Sequence, residues 1–288
     1  MSTAAIASQP PPVVEADQQV ATATRRYIYC ITDCHEPTTF GPMGLGNESE
    51  VFSIPYEGIS AVVSRTPTEK FEISRVNTLA HQHVMEAVME RGYTVLPVRF
   101  DTIAEDKPDG TADAESRILN HVLTNRKEEF ADLLALFRDR VELGVKGLWT
   151  DMNAVFAEIV NGSGEISLLR KKVRAAGPGW GAGKPSGILS PQARLGEMVK
   201  NALTAKKGHV QRQLMKQVEN MIVDLRRNKT FGDRMFANLA LLVKKHRQDD
   251  FGGALTKFED ERAGGVRLKY VGPVPPSNFI EVVISWDD

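Results

Sequence analysis

Between residues 25 and 149, runs of β-branched and aromatic residues alternate with stretches of helical period in the order β, β, β, α, β, α, β. No other feature narrows the fold as much, because a period of two and a period of 3.6 cannot share one element. Tyr27-Ile28-Tyr29-Cys30-Ile31 has the composition of a buried strand. Short runs at 51–55 and 59–64 flank the turn Tyr56-Glu57-Gly58 and read as two more strands. Val76, Leu79, Ala80, His83, Val84, Ala87 and Val88 then recur at helical spacing up to Gly92, a good helix-ending glycine. This phase puts His83 on the apolar stripe. A fourth strand is expected over 94–100, helical patterning over 112–139, and a strand from Val141 to Trp149 that closes this half. The mixture predicts a mainly antiparallel sheet with helices on one face, in a ferredoxin-like arrangement with one extra strand.

The second half starts near Asp151. Short helices are expected over 152–160 and 166–173, followed by a glycine-rich loop at 177–187. Pro191 suits the first turn of a long helix carrying Leu195, Met198, Val199, Leu203, Val210, Leu214 and Val218, which Gly208 interrupts. Residues 221–280 read as β-β-α-β: strands over 222–225 and 235–243, a helix over 251–262, and a strand over 266–271. Gly272-Pro273-Val274-Pro275-Pro276 stops that strand, and 279–284 is a last extended segment. The expected class is therefore α+β, with two domains joined by a helical segment, each a ferredoxin-like antiparallel sheet with helices on one face. Residues 1–24 form a disordered tail, 25–149 an N-terminal domain, and 150–288 a C-terminal domain with its helices over 150–220 and a short tail.

Composition excludes several function classes. Of 288 residues, 42% are hydrophobic and 25% charged, enough for a real core. Two cysteines are too few for a disulfide scaffold, and no apolar run approaches the ~20 residues of a membrane span. No Lys or Arg precedes Arg25 and no apolar signal core exists, so a cytoplasmic location is expected. Cys30-x3-Cys34-His35 lacks a second ligand pair, and His81 and His83 are two apart where a helical zinc pair needs four, so no metal site is assigned. The glycine loop carries Pro178 and Pro185 where a phosphate loop needs Gly and Ser or Thr, and no G-x-S-x-G occurs. No catalytic residue and no cofactor follow from spacing, so the chain is not read as an enzyme.

Charge is segregated: residues 1–164 carry a net −10 and residues 165–248 a net +13. The basic segment, with Arg170, Lys171, Lys172, Arg174, Lys200, Lys206, Lys207, Arg212 and Lys216, is the one feature that would suit nucleic acid. It lacks a recognition motif and almost lacks aromatics for base stacking, so an acidic protein partner or a solvated helix face ranks above it.

Four stretches, in this order, carry a family resemblance: Tyr27-Ile28-Tyr29, Thr94-Val95-Leu96-Pro97-Val98-Arg99-Phe100, Val141-Glu142-Leu143-Gly144-Val145-Lys146, and Leu268-Lys269-Tyr270-Val271-Gly272-Pro273-Val274-Pro275-Pro276. Together they resemble the gas vesicle protein GvpF/GvpL family over about residues 25–280. The resemblance implies a non-enzymatic accessory role in gas vesicle formation, as a minor vesicle component with no membrane or nucleic-acid partner. It implies as partners the small hydrophobic shell protein GvpA and other accessory Gvp proteins, whose aggregation the chain would limit during nucleation. The candidate partner-binding residues are Arg99, Phe100, Tyr270, Pro273, Pro275, Pro276 and Phe279. Asp101 stands where glycine is usual in that family, and Ser277-Asn278 replace the usual Tyr-Ser.

Overall fold

The computed structural model describes residues 25–176 and 190–286. The expected tail at 1–24 and the glycine-rich loop at 177–187 lie outside the described residues. The chain divides into two units. One comprises the described residues up to Val88, Val98–Phe130 and the described residues from Val283; the other comprises Met89–Pro97 and the described residues of Ala131–Val282.

A six-stranded sheet is built from β1 (Arg25–Thr32), β2 (Thr39–Pro42), β3 (Glu50–Tyr56), β4 (Ile59–Thr66), β5 (Val95–Pro97) and β6 (Ile103–Ala104). Its order is β2-β3-β4-β1-β5, with β6 also on β1. β3 and β4 are joined through Glu57 and Gly58, both at positive φ (41° and 93°), the conformation of a two-residue hairpin turn. β1 pairs antiparallel with β4, Tyr27 opposite Ser64 and Ile31 opposite Ala61. Both central strands are almost wholly buried, which fits their unbroken apolar runs. β2 and β6 are short strands inside segments whose glycine and proline content signals loop.

Helix α1 (Arg75–Glu90) buries His81, Val84, Met85 and Val88. This corrects the expected phase. His81 is in the core and His83 is exposed, and Val76 and Leu79 face solvent. The expected helical stretch at 112–139 is three pieces: α2 (Ala114–Arg117), a π-helical turn at Ile118–Thr124, and α3 (Lys127–Phe137).

The second sheet has four strands: β7 (Arg140–Trp149), β8 (Ile222–Arg227), β9 (Met235–Lys244) and β10 (Val266–Val274), in the order β10-β7-β9-β8. All three pairings are antiparallel. β7 therefore sits inside the second sheet, whereas its place in the sequence predicts a strand that closes the first half. Helices α4 (Met152–Asn161), α5 (Gly164–Ala176) and α6 (Pro191–Val218) separate β7 from β8, and α7 (Gln248–Asp260) separates β9 from β10. With β7 included, the connectivity is the β-α-β-β-α-β plan of ferredoxin-like sheets. Val141, Leu143 and Val145 of β7 alternate into a core with Phe236, Leu239 and Leu241 of β9, Leu203, Val210 and Leu214 of α6, and Phe251 and Phe258 of α7. Gly147 is required there: a Cβ on it would lie 2.4 Å from the Phe236 ring.

Ser190 caps α6, its Oγ accepting from Ala193 N–H at 3.2 Å, with Pro191 at the first turn. The helix runs unbroken through Gly208, contrary to the expected interruption. Leu203, Val210, Leu214 and Val218 anchor it on both sides of that residue, which outweighs the ~1 kcal/mol that a helical glycine costs. β10 likewise runs past Gly272 and Pro273, with a register shift between Val271 and Val274.

Candidate functional site

Each unit holds a buried titratable side chain with hydrogen-bond partners: His81 in the first and Glu142 in the second. In the first unit, Tyr27 and Tyr29 of β1 point their hydroxyls into the interior, where each needs a partner. The Tyr27 hydroxyl is 2.9 Å from His81 Nδ1 and accepts from Asp101 N–H at 3.1 Å. The Tyr29 hydroxyl is 2.8 Å from Ser64 Oγ and accepts from Leu45 N–H at 2.7 Å. Phe71 and Phe100 meet Tyr27 edge-on, with ring centroids 5.4 and 6.3 Å away. Burial pulls His81 down to about 4, opposed by a backbone hydrogen bond to Val98, and burial pushes both tyrosines up. At neutral pH the cluster is uncharged, and it fastens β1 to α1 and to the loop at Asp101.

That loop explains a departure noted in the sequence. Asp101 has φ 65°, the left-handed conformation that glycine adopts without cost. Its Oδ1 accepts from Phe71 N–H at 2.6 Å, so the aspartate supplies a bond that glycine would not.

In the second unit the buried polar group is Glu142 on β7. Its carboxylate accepts from Asn278 N–H at 2.9 Å and from Asn278 Nδ2 at 2.5 Å, and burial pushes its pKa up. The segment after β10 is thereby held against the sheet face opposite the helices. Arg226 of β8 stacks over Phe279 at 5.3 Å on the same segment.

β10 is the edge of this sheet. Tyr270 is 40% and Val271 53% exposed. The Leu268 N–H donates to the Glu259 carboxylate of α7 and so points away from β7. By strand alternation the Tyr270 backbone also faces outward. Beside it, α7 and β10 enclose a cavity of about 250 Å³ lined by Gly252, Leu255, Thr256, Glu259, Leu268 and Tyr270.

The seven residues singled out from the sequence do not share one surface. Tyr270, Pro273 and Arg99 are exposed, Phe100 and Phe279 are half-buried, and Pro275 and Pro276 are buried. Phe100 belongs to the aromatic cluster of the first unit, while Phe279 and the prolines belong to the segment held by Glu142. A surface that the sequence reading missed lies at the start of α1, where Ile73, Val76 and Leu79 are 85%, 76% and 52% exposed. In the sequence Val76 and Leu79 read as part of the apolar stripe of α1, and Ile73 precedes that stripe by the same spacing of three.

Cys30 lies inside β1 and burial pushes its thiol up; Cys34 donates to the Glu36 carbonyl at 3.2 Å. Within the basic segment, Lys206 pairs with Glu158 at 2.5 Å, Arg194 with Glu165 at 3.0 Å, and Lys207 donates to the Gly232 carbonyl. Part of that charge is thus spent inside the fold. No helix among the described residues is long and apolar enough to cross a membrane.

Comparison with known proteins places this geometry. The family model described as gas vesicle synthesis protein GvpL/GvpF matches residues 25–281. Gas vesicle protein L1 of Halobacterium salinarum is 26% identical over 283 residues, covering 92% of this chain and 93% of its own length. Gas vesicle protein F of Haloferax mediterranei is 24% identical over 246 residues, covering 85% and 88%. The crystal structure of GvpF from an Anabaena species superposes with a TM-score of 0.70 at 21% identity, over 90% of this chain and 98% of that one. GvpF from Microcystis aeruginosa gives 0.68 at 20%, over 89% and 98%. These two structures share the fold.

Proposed function

The chain belongs to the GvpL/GvpF family of gas vesicle synthesis proteins, and we propose that it works there as a non-catalytic handler of the apolar shell subunit GvpA and of other accessory Gvp proteins. It acts in the cytoplasm and at the vesicle, as a minor component, and limits aggregation of the shell subunit while vesicles nucleate. The observation that carries this reading is the family match over residues 25–281, nearly the whole described chain.

Physical chemistry supports the handling role. A subunit made of apolar surface aggregates through exposed patches and unpaired strand edges, and a handler must offer both kinds of partner. β10 supplies an edge with outward backbone groups and exposed Tyr270, Val271 and Pro273, and extended segments bind such edges by adding a strand. The start of α1 supplies an apolar face. In this reading Arg99 is a peripheral contact. Pro275, Pro276 and Phe279 act from beneath by fixing the end of β10, and Phe100 acts by fixing the loop at Asp101. The buried titratable groups His81 and Glu142 are both engaged in hydrogen bonds that hold the fold, which supports a role without catalysis.

The test is co-expression of the chain with a shell subunit, followed by capture through a tag on the chain. Recovery of the subunit with wild type, and its loss with Tyr270→Asp plus Val271→Asp, supports the reading. Failure of wild type to retain the subunit at any salt concentration sinks it.

A further inference from the structure

On the first unit a cavity of about 220 Å³ is lined by Lys107, Ser116, Arg117, Asn120, His121 and Trp286. Its walls are fixed. Arg117 stacks on the Trp286 ring at 4.8 Å and donates through Nη1 to the Glu105 carbonyl at 2.8 Å. The His121 ring is 5.7 Å from Trp286, and His121 Nε2 is 2.8 Å from the Ser285 carbonyl. Arg126 Nη1 donates to the Val283 carbonyl at 2.8 Å and holds the same terminal segment. Asn120 and His121 sit on the π-helical turn at Ile118–Thr124, a rare geometry that occurs frequently at functional sites.

The hydrogen-bond accounting here is one-sided. Among the described residues, the Lys107 ammonium, the Ser116 hydroxyl, the Asn120 side-chain amide and the remaining Arg117 donors have no hydrogen-bond acceptor. Among the described residues, no carboxylate lines the cavity. The carboxylates nearby are already engaged. Glu105 pairs with Arg25, Glu115 pairs with Arg26, and Asp106 accepts from Ala114 N–H. Asp113 accepts from Ser116 N–H, and Asp109 accepts from Thr111, although it also feels the charge of Lys107. Two cations, of which Arg117 is held in place, and two neutral donors therefore line a small cavity that has no counter-charge among its described lining residues.

We propose that this cavity is an oxyanion site fitted to the phosphoryl group of a small phosphorylated molecule. Two cations select a dianion over a monoanion, and a phosphate monoester carries about −1.5 to −2 at neutral pH. An arginine presents the planar fork and a lysine the point charge that phosphate oxygens accept. Arg117 and His121 both approach the Trp286 ring, which serves as a wall that orders Arg117. The site is independent of the partner surface on β10.

The test is titration of the full chain with inorganic phosphate, and separately with glycerol phosphate, at constant low ionic strength. Binding is read from the Trp286 indole resonance and from the thermal midpoint. We expect saturable shifts and a rising midpoint, because a ligand that binds only the folded state stabilises it. Lys107→Gln and Asn120→Ala, both exposed, each weaken binding, the lysine variant by about tenfold, as loss of a charged hydrogen bond implies. Lys200→Gln, on exposed α6, leaves it unchanged. Tighter binding of the ester identifies an organic phosphate as the ligand, and equal binding identifies phosphate itself. Absence of saturation by about 10 mM phosphate, weaker than any affinity that two paired cations should give, overturns the proposal. Equal weakening by Lys107→Gln and Lys200→Gln also overturns it, because the effect would then be general screening.

Discussion

The interiors of the two units differ more than their sheets do. The first is aromatic and hydroxyl-bearing: the buried hydrogen-bonded pairs Tyr27–His81 and Tyr29–Ser64 pack together through their rings. The second is mainly aliphatic and aromatic hydrocarbon, with Glu142 and its two bonds from Asn278 as its buried charged group. A hydrocarbon interior depends on volume and tolerates some rearrangement, whereas a buried polar cluster holds only while every donor and acceptor is matched. The first unit should therefore be sensitive to chemistry and pH, and the second to lost volume.

The largest effect expected from a single substitution is in the second unit. Phe258, fully buried on α7, should cost about 3–5 kcal/mol when cut to alanine, measured by urea unfolding. Next comes acid. His81 is held at about 4 in the fold against 6.5 when unfolded, so the unfolded chain binds the extra proton first. Its contribution is present above pH 6.5 and is lost as pH falls toward 4, by roughly 3 kcal/mol at most. Glu142 runs the other way. Its folded pKa is raised, so its contribution is present below the unfolded value of 4.5 and is lost as pH rises through the folded value. Unfolding followed by probes in each unit should thus show opposite slopes with pH, and parallel slopes would break the contrast. A smaller effect comes from Tyr27→Phe, which strands the Asp101 N–H and His81 Nδ1 and should cost about 1–3 kcal/mol by the same assay. The smallest is Tyr270→Ala on the exposed edge of β10, which should move stability by no more than about 0.5 kcal/mol while still weakening capture of the shell subunit.

Local patterns in the sequence identified most elements, because strand and helix periods are properties of neighbouring residues. β1, β4, β9 and the long α6 were legible for that reason. What a strand pairs with is not local. β7 reads as the end of the first half because it follows those elements in the chain, yet its partners are β9 and β10, about 95 and 125 residues later in the sequence. The α1 phase failed for a related reason. Val76 and Leu79 extend an apolar stripe that the fold leaves in water, and counting from them selects His83 over His81. Of the candidate site, the segment 268–276 was legible as a motif, but its split into exposed Tyr270 and Pro273 and buried Pro275 and Pro276 depends on Glu142, 136 residues from Asn278. The phosphoryl cavity left no motif because its lining comes from a loop, α2, the π-helical turn and Trp286, which lie far apart in the sequence.

The most direct test of the handling role is light scattering of shell subunit diluted from denaturant into buffer containing this chain. The account predicts that wild type suppresses scattering near equal molar ratio, and that Tyr270→Asp with Val271→Asp, folded by circular dichroism, does not. Scattering that rises to the same level with and without the wild-type chain would contradict it.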